Sequence, residues 1–251
     1  MSQGSTKRPR LGVVGASGKM GQSILRLARE SGQFEIACEI SEGDDLGVVE
    51  RTRPEVVIDF SRPLGTLVLA PLAAKVGAGL VVGTTGLDAT CDAALGEAAK
   101  KVPVFTATNM SVGVYVLGVL AARATKMLGS EFDVEIVEAH HKRKVDAPSG
   151  TALTLAKLVS EARGPDTVLR HGREGQICAR NPHEIGMHAV RGGDVIGEHT
   201  VFFYGEGERL ELSHKASNRD LFARGALRAA SWLVTQKPGK YGMSDLLSGL
   251  V

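Results

Sequence analysis

Gly15, Gly18 and Gly21 recur at intervals of three between an apolar run, residues 11–14, and a helical pattern over about 22–30. A chain that leaves a buried strand, turns on glycine and enters a helix is committed to a βα unit. Ile24, Leu27 and Ala28 supply the helical period of its second half. Glycine permits the tight turn and leaves the first N–H groups of the helix open to an anion. Gly15, Ala16, Ser17, Gly18, Lys19 and Met20 are therefore candidates to cradle the phosphates of a dinucleotide. Ser17 stands where the usual fingerprint has its middle glycine, so the triplet alone also fits a βα turn that binds nothing.

The same alternation continues. Residues 34–40, 55–60, 79–82 and 102–106 read as strands, and 64–76 and 90–101 as helices. Short connections between them predict a parallel sheet with helices on both faces. Near residue 110 the pattern changes. A helix over 114–128 is followed by strands at 132–139, 185–191, 195–203 and 208–213, with a helix at 151–162. Gly192-Gly193-Asp194 and the glycines at 205 and 207 predict antiparallel hairpins. A last amphipathic helix over 220–233, carrying Leu221, Phe222, Ala226, Ala229 and Leu233, is expected to pack back on the first domain. The fold class expected is α/β. A Rossmann-like, parallel-sheet dinucleotide-binding domain takes residues 1–111 and 220–251. A smaller α+β domain with an open, mixed or antiparallel sheet takes 112–219.

Residues 138–151 carry the densest chemistry: Glu-Ala-His-His-Lys-Arg-Lys-Val-Asp-Ala-Pro-Ser-Gly-Thr. The whole chain has 30 Lys+Arg against 28 Asp+Glu, so this basic cluster is a local device and not part of a global excess. It suits a small, multiply charged anion. Arg143 and Lys144 can pair with carboxylates, and the helix start at Thr151 can hold another. Ser149 and Thr151 add hydroxyl donors, and Gly150 leaves its amide open. Lys144, crowded by other cations, or His140 or His141, can donate a proton near neutral pH. Lys142 reads as solvated. The run could instead be a solvated face or a nucleic-acid patch, and the histidines could be structural or metal ligands. Aromatic content of 4% and the lack of a nucleic-acid motif speak against the patch. Adjacent histidines rarely chelate one ion, and no HExxH spacing accompanies them, so no metal is expected.

Other strand ends fit the cofactor. Glu39 lies where an acidic residue would hold the adenosine ribose, with Ser41 and Glu42 close behind. The nearest arginines are Arg51 and Arg53, so the sequence leans to NADH over NADPH, with either usable; Lys19 could also approach a 2′-phosphate. Gly83, Thr84 and Thr85, and Ala107, Thr108, Asn109 and Met110, follow two further strands and suit the nicotinamide half or plain loop capping. Lys215 or Arg219 could add an anion contact, and Trp232 reads as packing. Cys38, Cys91 and Cys178 lack ligand spacing and read as free thiols, and the cytoplasm is the expected location. Residues 1–10 read as a disordered tail without a signal-peptide core, and no apolar run reaches the ~18 residues of a membrane span.

Taken together, these segments resemble the 4-hydroxy-tetrahydrodipicolinate reductase (formerly dihydrodipicolinate reductase) family of bacterial lysine and diaminopimelate synthesis. The likeness runs through Val14 to Gly21, Ile58-Asp59-Phe60-Ser61, Val82 to Gly86 and Asn109 to Gly113. It continues through Glu138-Ala139-His140-His141, Val145 to Ala152, Gly193 to His199 and His214-Lys215-Ala216. The resemblance implies NAD(P)H-dependent reduction of a cyclic dicarboxylate imine with loss of water, a central domain that binds substrate, and a homotetramer. It implies His140 as proton donor/acceptor and Lys144 as proton donor. It also implies His141, Gly150 and Thr151 as substrate contacts, beside the three cofactor loops. One departure follows the second strand, where the family often has Glu-Arg and this chain has Ile40-Ser41-Glu42.

Overall fold

The structure, a computed structural model, describes residues 7–176 and 178–248. Residues 1–6 of the expected tail lie outside the described residues; Arg10 does not belong to a tail, because it opens the first strand. In chain order come β1 (Arg10–Val14), α1 (Lys19–Ser31), β2 (Glu35–Ile40), α2 (Val48–Thr52), β3 (Val56–Asp59), α3 (Pro63–Val76), β4 (Gly79–Val82), α4 (Ala89–Ala99) and β5 (Pro103–Thr106). Next are α5 (Val112–Leu128), β6 (Asp133–His140), α6 (Gly150–Arg163), β7 (Val168–His171), β8 (Glu184–Arg191), β9 (Glu198–Gly205) and β10 (Glu208–Lys215). The chain ends with α7 (Asp220–Leu233), β11 (Gly239–Tyr241) and α8 (Met243–Leu247). Two compact units result, one from residues up to 111 and from 219, the other from 112–218.

In the first unit six strands lie in the order β11-β5-β4-β3-β1-β2, and every pairing is parallel. The continuous apolar runs explain this. Val56, Val57, Ile58, Leu80, Val81 and Val82 are all buried, as strands sandwiched between two helical layers must be. One layer is α1 with α7; the other includes α3 and α4. The helix over 220–233 packs as its amphipathic pattern requires, on α1 and the sheet. Gly225 makes a close approach possible there, since a Cβ at that position would stand 1.8 Å from the Met110 carbonyl oxygen. The short α2, β11 and α8 carry too few residues for a periodic signal and were not legible in sequence.

The second unit is a five-stranded mixed sheet in the order β10-β9-β6-β8-β7. β6 pairs parallel with β8 and antiparallel with β9, while β9 and β10 form the hairpin expected at 205–207. The hairpin expected at Gly192-Gly193-Asp194 does not form. β8 and β9 lie on opposite sides of β6, and the segment between them crosses the end of that strand. There Gly192 N–H donates to the His140 carbonyl at 2.9 Å and Lys142 N–H to the Gly193 carbonyl at 3.3 Å. The glycines serve a crossing, whose turn chemistry is the same as a hairpin's. β7 was also missed.

α5 and α6 cover one face of this sheet over Val134, Ile136, Ile185, Val201 and Phe203. The other face is open. Helix Val112–Glu131, α5 with its following turn, is 20 residues long and passes as long and apolar enough to cross a membrane by length and composition only, although no unbroken apolar run in it reaches that length. Leu117, Gly118, Ala121 and Thr125 nonetheless face inward, with Gly118 tight against Leu158. Arg123 and Lys126, spaced inside the pattern, divide it as a linear run.

Candidate active site

At the carboxyl edge of the first sheet, four loops follow β1, β3, β4 and β5. Gly15 adopts φ +83°, and a Cβ there would lie 2.3 Å from the Phe60 carbonyl oxygen. Gly21 seats α1 against the loop, with its virtual Cβ 2.1 Å from the Gly15 carbonyl. Gly83 lies flat on the Phe60 ring, where a Cβ would come within 2.3 Å. These three glycines answer to internal packing. Gly18 does not: it is exposed, caps α1 with no side-chain hydrogen bond, and no acid occupies the first turn. Open N–H groups at an uncapped, acid-free helix start fit an anionic phosphate, so the chain's own residues suit a dinucleotide. Ser17, Lys19 and Met20 surround that start, and Ala16 is buried behind it.

Asp59, wholly buried at the end of β3, braces the neighbouring loops. Its carboxylate accepts from Ser61 N–H at 2.9 Å, the Ser61 hydroxyl at 2.5 Å and the Thr66 hydroxyl at 2.5 Å. Burial pushes its pKa above the ordinary carboxylate range, against those bonds. Thr84 joins the brace by accepting from Ser61 N–H at 3.1 Å, and Thr85 beside it is exposed. Ala107 N–H donates to the Val82 carbonyl at 3.3 Å. Asn109 Oδ1 accepts from Ser111 N–H at 2.9 Å, leaving Thr108 exposed and Met110 buried. Glu39 is exposed near the end of β2 and is ion-paired with Arg29 of α1. Ser41 N–H donates to Asp44 at 2.7 Å, and Glu42 pairs with Arg62 at 2.7 Å. Sequence reading singled out Arg51 and Arg53; Arg51 is tied to Asp45 at 2.8 Å, and the cation brought to this corner is Arg62.

In the second unit, β6 alternates buried and half-buried residues, so Val134, Ile136, Glu138 and His140 share the covered face. Glu138 is only 1% exposed and must be compensated. Arg191 grips it with both terminal nitrogens, at 2.8 and 2.7 Å. The Glu138 carboxylate also lies 2.5 Å from His140 Nδ1 and accepts from Ser149 N–H at 3.1 Å. Burial works against ionisation, but the Arg191, His140 and Ser149 bonds outweigh it and hold the Glu138 carboxyl below its ordinary range. Ser149 caps α6 by accepting from Ala152 N–H at 3.2 Å, and its hydroxyl meets His199 Nε2 at 3.1 Å. The His199 ring stands edge-on to His140 with centroids 5.2 Å apart. Burial, then the neighbouring His140, pulls the His199 pKa down to about 4, so this imidazole is neutral at pH 7. Lys144 pairs with Asp146 at 2.8 Å, and Arg191 reaches the Asp146 carbonyl at 2.7 Å. Gly150 is exposed, and Thr151 and His141 are half-buried.

The structure thus gathers His140, Lys144 and Ser149 into one corner, with Gly150 and Thr151 opening the helix that Ser149 caps. Lys142 and Arg143 are exposed, and Lys215 lies 4.0 Å from Glu198. Trp232 packs edge-on against Tyr241 at 5.3 Å. Sequence reasoning missed Glu138, Arg191 and His199 as members of the corner. A Glu and a His two apart on a strand share a face, which is a signal for the first; the other two are distant in sequence. None of the three cysteines lies in the 138–151 segment: Cys38 and Cys91 are buried with their thiols pushed up by burial, and Cys178 is exposed elsewhere in the chain.

Comparison with known proteins places the chain in a family. The family description "Dihydrodipicolinate reductase, N-terminus" matches residues 9–110, and "Dihydrodipicolinate reductase, C-terminus" matches 113–247. A 4-hydroxy-tetrahydrodipicolinate reductase of Myxococcus xanthus is 46% identical over 94% of this chain and 96% of that protein. One of Desulfovibrio desulfuricans is 47% identical over 93% of this chain and 97% of that protein. Among solved structures, a dipicolinate-bound dihydrodipicolinate reductase from Paenisporosarcina sp. TG-14 shares the fold, with a TM-score of 0.78 at 24% identity, covering 98% of this chain and all of that one. The chain belongs to the dihydrodipicolinate reductase family of oxidoreductases.

Proposed function

We propose that the chain catalyses the NAD(P)H-dependent reduction of 4-hydroxy-tetrahydrodipicolinate to tetrahydrodipicolinate, with loss of water, in lysine and diaminopimelate biosynthesis. The observation that carries this reading is the corner where β6 ends and α6 begins: His140, the Lys144 ammonium and a serine-capped helix start together. A dicarboxylate ring needs donors at both acid groups and a proton at the atom that gains charge. Thr151, the Gly150 amide and His141 hold the carboxylates. His140 and Lys144 supply the proton, and fixed cations there stabilise the charge as it forms. The loops at 15–20, 83–85 and 107–110 hold the dinucleotide, which when bound supplies a hydride.

NADH is the preferred cofactor, because the end of β2 carries Glu39, Ser41 and Glu42, and Arg62 and Arg51 are each already paired with a carboxylate. The protein is a homotetramer whose contacts use the open face of the second sheet, where Phe202 stacks on Tyr204 and Tyr204 remains 38% exposed. It works in the cytoplasm, where nicotinamide dinucleotides are available and its three free cysteines stay reduced.

The test is the oxidation of NADH, and separately NADPH, with the freshly formed product of the preceding synthase as substrate. Turnover, inhibited by pyridine-2,6-dicarboxylate, is expected. Lack of oxidation with either nucleotide would overturn the reading.

A further inference from the structure

Glu138 raises a question that the substrate corner alone does not answer. Positions 134 and 136 on the same face of β6 carry Val and Ile, so an aliphatic residue at 138 would extend the core. An ion pair whose carboxylate is buried and whose arginine is half-buried, such as Glu138–Arg191, seldom stabilises a fold more than apolar packing would. Its retention points to what else the carboxylate touches. One oxygen faces His140 Nδ1 at 2.5 Å, and the other accepts from Ser149 N–H, the capping residue of α6. Arg191 holds both oxygens from the far side, so the carboxylate cannot rotate away.

We propose that Glu138, clamped by Arg191, is a positioning residue that sets the tautomer of His140 and ties it to the start of the substrate-holding helix. An ionised carboxylate can only accept, so the hydrogen lies on His140 Nδ1. Nε2 is then the nitrogen that exchanges a proton with substrate. Gly197 leaves its approach clear, since a Cβ at that position would stand 3.1 Å from Nε2. The edge-on His199 ring, anchored through Ser149, limits rotation about the remaining axis. One carboxylate therefore fixes the proton donor and the helix terminus in a single register. This inference rests on the reading of His140 as the proton-exchanging group.

The experiment is a double-mutant cycle with a spectroscopic readout. Glu138→Gln is expected to lower kcat by about 100-fold or more, the scale of other carboxylate–imidazole pairs. In a His140→Asn background the same change should cost less than about twofold, because a positioning residue has nothing left to position. Long-range 1H–15N spectra should show the neutral His140 as the Nδ1–H form, shifting toward Nε2–H in Glu138→Gln. Glu138→Gln leaves the half-buried Arg191 charge without its carboxylate, so Glu138→Gln/Arg191→Met is made beside it; it should fold and show the same loss of kcat and the same tautomer shift. The inference is overturned if either variant keeps wild-type kcat, if the two costs multiply in the cycle, or if the tautomer does not change. If His140→Asn alone keeps its turnover, the role of His140 falls; the tautomer signal still judges Glu138 by itself.

Discussion

Gly18 and Gly21 look alike in sequence, and the structure says they should fail in opposite ways. Replacing Gly21 with Ala puts a methyl 2.1 Å from the Gly15 carbonyl oxygen and 2.7 Å from the Ala16 Cα. Both neighbours are backbone, and the loop is pinned by Gln22, whose side chain donates to the Ala16 carbonyl at 2.7 Å. Relief requires α1 to withdraw by about 1 Å to reach van der Waals separation. That movement loosens Ile24, Leu25, Leu27 and Ala28, all buried against the unit's core. Overpacking of this kind costs about 2–4 kcal/mol, or about 5–15 °C in Tm. Replacing Gly18 meets only one atom, the Gly15 oxygen at 3.2 Å, and φ there is −72°, open to any L residue. The weaker capping by Ala, about 0.5–1 kcal/mol, is offset by the lower entropy of the unfolded chain, about 0.4–1 kcal/mol. Stability should stay near wild type. The new methyl covers the helix start, however, and losing one charge-assisted N–H bond weakens NADH by about 10–100-fold. Thermal unfolding and NADH titration of both variants decide the matter. A Gly18→Ala protein that binds NADH normally would remove this loop from the nucleotide site. A Gly21→Ala protein with unchanged Tm would refute the packing argument.

Lys144→Ala should lower kcat by ~10²–10⁴-fold, the range for a positioned acid; full turnover would take Lys144 out of the mechanism. Glu135 is opposed by burial but held down to about 2 from 4.5 by Arg173, His188 and Arg180, so its contribution is complete above pH 4.5 and vanishes as pH falls toward 2. Glu135→Gln should therefore cost about 3 kcal/mol in urea unfolding at pH 7 and little near pH 2; an equal cost at both would sink the charge argument. His199 is lowered from 6.5 to about 4, chiefly by burial, so it stabilises fully above pH 6.5 and stops doing so as pH falls to 4. His199→Gln should flatten the loss of stability across that window, as followed by urea midpoints. Glu42→Gln should free Arg62 and improve NADPH relative to NADH by a few-fold, ~0.5–1 kcal/mol, in paired KM measurements.

What could be read from sequence was local or periodic. Val56–Ile58 and Leu80–Val82 announce buried parallel strands because nothing polar interrupts them. The α7 boundaries followed from one amphipathic stripe. The 192–194 turn misled because glycines report a sharp change of direction and not which strand comes next to which; that choice depends on β6 inserting between β8 and β9. At the site, the residues contiguous in chain, His140 to Thr151, were legible as a cluster. Arg191 and His199 were not, since a residue 53 positions from Glu138 and one 50 positions from Ser149 leave no spacing signal. Glu39 illustrates the remaining gap. Its place near a strand end was readable, but its partner Arg29 comes from the helix before.

The pleat of β6 separates two tasks that ionic networks otherwise confuse. Its even positions lead from Val134 and Ile136 to Glu138 and His140, and its odd positions include Glu135, which is locked to Arg173, Arg180 and His188 on the open face. Both glutamates are held by arginine forks, and from composition the two are interchangeable. Each touches an imidazole, His188 for Glu135 and His140 for Glu138, but only Glu138 holds the one read here as exchanging a proton with substrate. Because adjacent side chains on a strand point to opposite faces, damage to the Glu135 network should reach stability and leave kcat per folded molecule intact. Damage at Glu138 should reach kcat first. If Glu135→Gln and Glu138→Gln instead lowered both quantities in the same ratio, the strand would be acting as one rigid block, and no division between scaffold and site could be drawn along it.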